Sequence, residues 1–236
     1  MTVLSRVKSA LIRPLMVDLP MEIIGSADQW GVVRGSLTRA SSVICAGMGK
    51  SISFEEHLVG EIGATVIALD PSPTGLATVA DRQCRSDERF VFYPYGLAGK
   101  LGVQSFGKPD LDEEGSFRKG AAGDHIEFHC TTVETLMTER GTKKLDLLKM
   151  DIEGFEYEVL DSVIRNRIDI GQICVEIHTN RSITIDQSIV DAYLLILRVC
   201  KFGYRIAYNS AMDFTFVSNE LIRQHRQDVR NATHAL

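Results

Sequence analysis

Four residues combine types and spacing that could do chemistry together. Asp151 and Glu153 follow the apolar run Leu145-Asp-Leu-Leu-Lys-Met150, and Glu176 and His178 close the run Ile173-Cys-Val-Glu-Ile-His178. Carboxylates grouped with an imidazole can take a proton from a weakly acidic hydroxyl, or can hold a divalent cation that makes the proton easier to lose. Two readings stay open. Asp151, Glu176 and His178 could be ligands of magnesium, or Asp151 or His178 alone could be the base, with Glu153 beside them. Magnesium favours oxygen, so the imidazole counts against the first. Each residue also has a plainer use: Asp151 as a helix cap, Glu153 as a first-turn charge, Glu176 as a partner of Arg181, and His178 as a solvated strand end. Lys149, between Leu148 and Met150, reads as the neutralising partner of Asp151.

The elements that must position these groups alternate in type. Val43 to Ala46, Thr65 to Leu69, Phe90 to Tyr93, 145 to 151 and Ile173 to His178 read as strands buried on both faces. Between them, Ser53 to Ile62, about Pro73 to Cys84, a segment opened by Thr131 with Glu134, and Phe155, Val159, Ser162 and Val163 carry helical spacing, with Ser53 and Glu56 forming a second capping box. A further helix runs from about Asp186 to Cys200. Tyr204 to Tyr208 and Phe214 to Val217 then form a hairpin. Repeated strand-helix units make a parallel sheet with an antiparallel edge, and such sheets bind ligands beyond the carboxyl ends of their strands.

The turn after the first of these strands bears on the cofactor. Cys45-Ala-Gly-Met-Gly-Lys-Ser51 contains Gly-Lys-Ser, but a phosphate-binding loop would need glycine where Ile44 stands, and a dinucleotide fingerprint would need it at Ile52. Two glycines, Gly47 and Gly49, still let the backbone approach a ligand. Asp70 ends the next strand 21 residues past Gly49, where an acidic residue accepts from ribose hydroxyls. Adenosine without a diphosphate points to S-adenosylmethionine.

The series Val43-Ile-Cys-Ala-Gly-Met-Gly-Lys-Ser-Ile-Ser-Phe-Glu55, Ala68-Leu-Asp-Pro-Ser-Pro73 and Leu145-Asp-Leu-Leu-Lys-Met-Asp-Ile-Glu-Gly-Phe-Glu156 resembles the FkbM family of S-adenosylmethionine-dependent methyltransferases. The resemblance spans about Val43 to His178. It implies an α/β class I methyltransferase (Rossmann-like) fold: a three-layer sandwich around a mostly parallel seven-stranded sheet with an antiparallel C-terminal hairpin. It also implies methyl transfer to a hydroxyl oxygen of a small molecule, sugar or natural product. By match to the motif, Gly47 and Gly49 would face the methionine part of the cofactor, with Cys45 and Ala46 leading into that turn, and Asp70 would face its ribose. Cys45 stands where many methyltransferases carry an acid near the methionine amine, so Glu55 or a backbone carbonyl would take that role. A nicotinamide-dependent dehydrogenase and a non-catalytic cofactor-binding protein are the competing functions.

Composition narrows the partners. With 26 Lys and Arg against 31 Asp and Glu the net charge is −5, and no basic run could follow a phosphate backbone, which argues against nucleic acid. The five cysteines are widely spaced without a CxxC pair, as in a reduced, cytoplasmic protein, and no apolar run is long enough for a membrane span. Residues 1–42 are expected to be an N-terminal helical segment docked on the core, built on Leu4, Val7, Leu11 and Leu15. Residues 43–236 are expected to be the methyltransferase domain, with 96–125 as an irregular substrate-covering insertion. His125 and His129, on one strand face, read as structural. Oligomeric state is not encoded in any recognisable pattern.

Overall fold

The computed structural model describes residues 12–80, 82–108, 117–119, 124–183 and 185–234. Its centre is a seven-stranded sheet. The strands are β3 (Ser42–Ala46), β4 (Thr65–Leu69), β5 (Phe90–Tyr93), β10 (Leu145–Met150), β11 (Ile170–Glu176), β12 (Tyr204–Ser210) and β13 (Asp213–Ser218), in the order β12-β13-β11-β10-β3-β4-β5. Pairings from β11 through β10, β3 and β4 to β5 are parallel, while β13 runs antiparallel between β11 and β12. The chain therefore winds outward in one direction from β3 and in the other from β10. Lys149 pairs with Cys45 across that switch point, where a crevice must open beyond the strand ends.

Strand residues alternate between two cores, as the pleat requires. Ile44, Ala46, Leu148, Met150, Ile173 and Val175 pack under the helices Val133–Glu139, Glu156–Arg165 and Ile189–Phe202. Val43, Cys45, Leu147 and Cys174 face the opposite layer, which contains Phe54, Leu58 and Trp30. Helices on both faces complete the three-layer sandwich, and the expected hairpin edge is present.

Several local expectations change. Ser53 does not cap its helix: the N-cap of Ser53–His57 is Ile52, with no side-chain hydrogen bond, and the segment continues as a π-helical turn over Leu58–Ile62. The helix at 133 is capped by Thr132, whose hydroxyl accepts from the Thr135 amide, rather than by Thr131. Helix Ile189–Phe202 has a reciprocal Ser188/Asp191 box. His178 lies two residues beyond β11 instead of inside it. A C-terminal helix, Asn219–His234, was not anticipated.

Two regions expected to lack strands contain them. Within the N-terminal segment, β1 (Met21–Ile24) and β2 (Trp30–Val33) form an antiparallel hairpin. Of the expected N-terminal helix, residues 1–11 lie outside the described residues; Arg13–Leu15 form a short 3-10 turn and Ile12 is buried in the core. The described residues of the segment 96–125 are not all irregular. β6 (Gly96–Leu97), β7 (Gly102–Gly107) and β8 (Arg118–Lys119) join β9 (His125–Thr131) in a second, four-stranded sheet ordered β6-β9-β7-β8. Phe106 stacks on Phe155 at 4.5 Å between ring centres, tying this sheet to the turn that follows β10.

Candidate functional site

A cavity of about 420 Å³ opens at the switch point, lined on one side by Gly47, Met48, Gly49, Asp70 and Ser72, and on the other by Asp151, Ile152 and Glu153. Leu97, Phe106 and Phe117 from the second sheet form an apolar wall, and Asp28 reaches in from the hairpin.

Backbone geometry builds the first side. Gly47 has φ +79°, and a Cβ there would lie 1.7 Å from the Asp151 carbonyl oxygen, so no other residue lets the two turns meet. Asp70 Oδ2 accepts from the Met48 and Gly49 amides at 2.8 and 3.0 Å, and its Oδ1 accepts from the Ser72 amide at 2.8 Å. That carboxylate shapes the glycine turn and keeps lone pairs for a ligand. Gly75 makes room for it, because a Cβ at that position would lie 2.1 Å from the Asp70 carboxyl carbon.

Beneath this turn lies an ion cluster. Lys149 is buried, its Nζ 2.6 Å from the Gly47 carbonyl, 3.1 Å from Asp28 Oδ2 and 3.7 Å from Glu55 Oε1, with the Trp30 ring 5.5 Å away. Burial opposes its charge, but Glu55, Asp28 and Asp151 outweigh burial and hold the amine protonated. Burial pushes the Glu55 carboxyl up against the pull of Lys149. The expected partner of Lys149 was Asp151; the ion pairs it makes are with Asp28 and Glu55 instead. Cys45, Ala46 and Glu55 were candidates for the cofactor's methionine end, yet all three are fully buried and none lines the cavity. The carboxylate that does reach it is Asp28. Its loop is held by Ser53, whose Oγ accepts from the Ser26 amide at 3.0 Å, and Asp28 itself accepts from Trp30 Nε1 at 2.8 Å.

On the other side, the chain after β10 turns through Glu153, which adopts φ +54°, a left-handed conformation uncommon outside glycine. Glu156 holds this turn: Oε1 accepts from the Ile152 amide at 3.1 Å and Oε2 from the Gly154 amide at 3.0 Å. The same Oε1 is 2.9 Å from His178 Nδ1, while Tyr157 donates to the His178 carbonyl at 2.7 Å. The imidazole is thus fixed with Nε2 toward three carboxylates, at 3.5 Å from Glu153 Oε2 and 3.8 Å from both Asp151 Oδ1 and Glu176 Oε1. Asp151 Oδ1 and Glu153 Oε2 are buried atoms without a hydrogen-bond partner.

Electrostatics follow from this crowding. Burial, then Glu176, pushes Asp151 up to about 7 against the pull of Lys149 and His178. Burial disfavours the imidazolium, but the Glu156 hydrogen bond and the surrounding carboxylates raise His178 to about 10. The same surroundings thus favour the charged form of His178 and the neutral form of Asp151. The residues expected to hold magnesium are only partly regrouped: the compact set is Asp151, Glu153 and His178, with ligand atoms within 4.8 Å of one another, and Glu176 stands beside His178 outside it. His125 and His129 lie on β9 with exposed side chains, away from this cluster.

The description "Methyltransferase FkbM domain" matches residues 40–206. The chain belongs to the FkbM methyltransferase family. The matched span takes in β3, β10, β11 and the second sheet, and so holds both sides of the cavity. The FkbM domain is also similar to the hexuronic acid methyltransferase AglP of Haloferax volcanii, 24% identical over 115 residues. The match covers 49% of this chain and 48% of that protein, so the chain spans about half the length of this relative. A solved structure, the Methanococcus jannaschii fibrillarin pre-rRNA processing protein, aligns over 84% of this chain and 82% of its own at 14% identity, with a TM-score of 0.44. Among the described residues no helix is long and apolar enough to cross a membrane.

Sequence reasoning missed Asp28 and Glu156. Asp28 precedes Trp30 in a hairpin with no motif, so nothing in the sequence links it to Lys149. Glu156 was in plain view as the second glutamate of Asp-x-Glu-Gly-x-Glu, and its spacing of two residues from Gly154 was the signal.

Proposed function

We propose that this FkbM domain transfers a methyl group from S-adenosylmethionine to a hydroxyl oxygen of a sugar or other small polar acceptor. One observation carries the reading: a single cavity runs from a glycine turn shaped by Asp70 to the carboxylates Asp151 and Glu153. The first side suits an adenosine without a diphosphate, because Asp70 offers oxygens to ribose hydroxyls and Gly47 and Gly49 admit close backbone approach. Asp28 offers a negative group to an amine on the same side. When bound, the cofactor supplies an electrophilic methyl group.

The chain's own residues position and deprotonate. Leu97, Phe106 and Phe117 give the cavity an apolar wall that limits contact with water on that side. Asp151, pushed up to about 7, is matched to accepting a proton near neutral pH. His178 stays charged and offsets the negative charge that gathers on the oxygen as the hydroxyl gives up its proton. Holding acceptor and donor in line supplies the largest share of the rate, as in other bimolecular transfers run in a shared pocket. The sugar-like acceptor is favoured by the similarity to a hexuronic acid methyltransferase.

Isothermal titration with S-adenosylmethionine, S-adenosylhomocysteine and NAD tests the donor. Binding of both sulfur compounds is expected. NAD binding without a response to either sulfur compound refutes the reading in favour of a dehydrogenase, and donor binding without transfer to any hydroxylated acceptor panel would favour a non-catalytic role.

A further inference from the structure

We propose that Asp151, Glu153 and His178 form a binding site for a divalent transition-metal ion of the manganese-to-zinc series, entered from the cavity. Whether the ion binds stands apart from the methyl-transfer reading; only its use in catalysis rests on that reading.

The donors are oriented before any ion arrives; on binding, the Nε2 proton leaves to solvent and the charge of the ion takes the place of the imidazolium charge among the carboxylates. His178 has only 5% of its side chain exposed, and Glu156 takes up Nδ1 at 2.9 Å, which leaves Nε2 as the atom facing the carboxylates. A carboxylate behind a metal-binding imidazole is the usual arrangement, because it fixes the ring and strengthens the opposite nitrogen as a ligand. The two atoms nearest Nε2 on the cavity side, Asp151 Oδ1 and Glu153 Oε2, are the same two buried oxygens that lack any hydrogen-bond partner. Leaving a buried acceptor unpaired costs about 1–3 kcal/mol. Their distances to Nε2, 3.8 and 3.5 Å, are too long for hydrogen bonds. An ion about 2.1 Å from each donor separates neighbouring donors by about 3.0–3.4 Å, so the two distances to Nε2 need contract by less than about 1 Å, while the set as a whole now lies within 4.8 Å.

The donor set selects the ion. One imidazole nitrogen with two carboxylate oxygens suits manganese, iron, cobalt or zinc, whereas magnesium prefers oxygen alone. Asp151 and Glu153 line the cavity, so an ion between them has positions open to an acceptor hydroxyl, whose proton it would make more acidic.

The test is calorimetric titration of the chelator-treated full chain with Mn²⁺, Zn²⁺ and Mg²⁺ in the absence of any methyl donor, so that a failure here is distinct from a failure to bind S-adenosylmethionine. Saturable binding of Mn²⁺ or Zn²⁺ at about one ion per chain is expected, with Mg²⁺ weaker. Asp151→Asn and Glu153→Gln, each checked for folding by circular dichroism, should abolish it, and Glu156→Gln should weaken it by about 10- to 100-fold. The double variant His125→Ala/His129→Ala should bind as the parent does. No saturable binding by the parent, or binding that persists in both Asp151→Asn and Glu153→Gln, overturns the proposal, and His178 then serves as a plain imidazolium counter-charge. Mg²⁺ binding as tight as Mn²⁺ overturns the choice of ion.

Discussion

Two charged clusters flank the end of β10 and are built on opposite plans. The Lys149 cluster has a permanent cation at its centre, with Asp28 and Glu55 around it and the Gly47 carbonyl in direct contact. The His178 cluster gathers Asp151, Glu153, Glu156 and Glu176 around a group whose charge is conditional. The first is sealed under the glycine turn except for Asp28, which reaches the cavity; the second opens into it through Asp151 and Glu153. One cluster supplies its own permanent counter-ion, and the other turns its carboxylates toward open space.

The sharpest break between the two comes from Asp151→Asn. Turnover should fall by about 10²–10⁴-fold, the usual share of a proton-transfer group, while the melting temperature holds or rises because a crowded carboxylate is gone. A parallel activity assay and thermal melt would refute the contrast if both fell together. Lys149→Met should do the reverse. Removing the partner of buried carboxylates costs about 3–5 kcal/mol, to be read as a lowered denaturation midpoint. A midpoint within error of the parent would show that the cluster is not structural.

Glu55 gives a subtler test through pH. Burial raises its folded pKa above the ordinary carboxyl value, so its contribution to stability is present at low pH and is lost as pH rises through that raised value. Glu55→Gln lacks this titration, and its stability relative to the parent should therefore improve from pH 4 to pH 8 in denaturant melts, under conditions chosen as roughly the range of carboxyl titration. A constant difference would place the Glu55 pKa at its ordinary value. The smallest effect is expected for His125→Ala/His129→Ala, which lie on the exposed face of β9 and should change stability by less than about 0.5 kcal/mol and leave turnover unaltered.

How much of this was legible depended on burial. β3, β4, β5, β10 and β11 are covered on both faces, so each appears as an apolar run, and the strand ends that carry Gly47, Asp70 and Asp151 came with them. The second sheet hid because β7 and β9 alternate exposed and half-buried residues before burying their last two, in a stretch rich in glycine and charge. β2 hid for another reason: Gly31 sits where a Cβ would lie 2.8 Å from the Tyr208 ring, a requirement set by a strand far away in sequence. Ser53 looked like a cap because a hydroxyl ahead of a helix usually is one, yet its oxygen is taken by the Ser26 amide. The family motif runs along the cavity lining at Gly47, Gly49, Asp70, Asp151 and Glu153. It did not say which member of the Lys149 cluster reaches the cavity, since that is decided only once the hairpin has folded over Lys149 and brought in Asp28.

The contact between Gly47 and the Asp151 carbonyl has a bearing on how such enzymes diversify. Both sides of the cavity are referenced to one backbone junction, so their separation is set without help from the side chains of the apolar wall. Leu97 and Phe106 belong to a separate sheet and Phe117 directly precedes its strand β8; that sheet meets the turn after β10 through the Lys119 amide, which donates to the Glu153 carbonyl at 3.0 Å, and through Phe106 on Phe155, so the wall can vary as far as these two contacts are kept. Retargeting by exchange of that wall is open to the engineer; displacement of the junction by a single methyl group at position 47 is not.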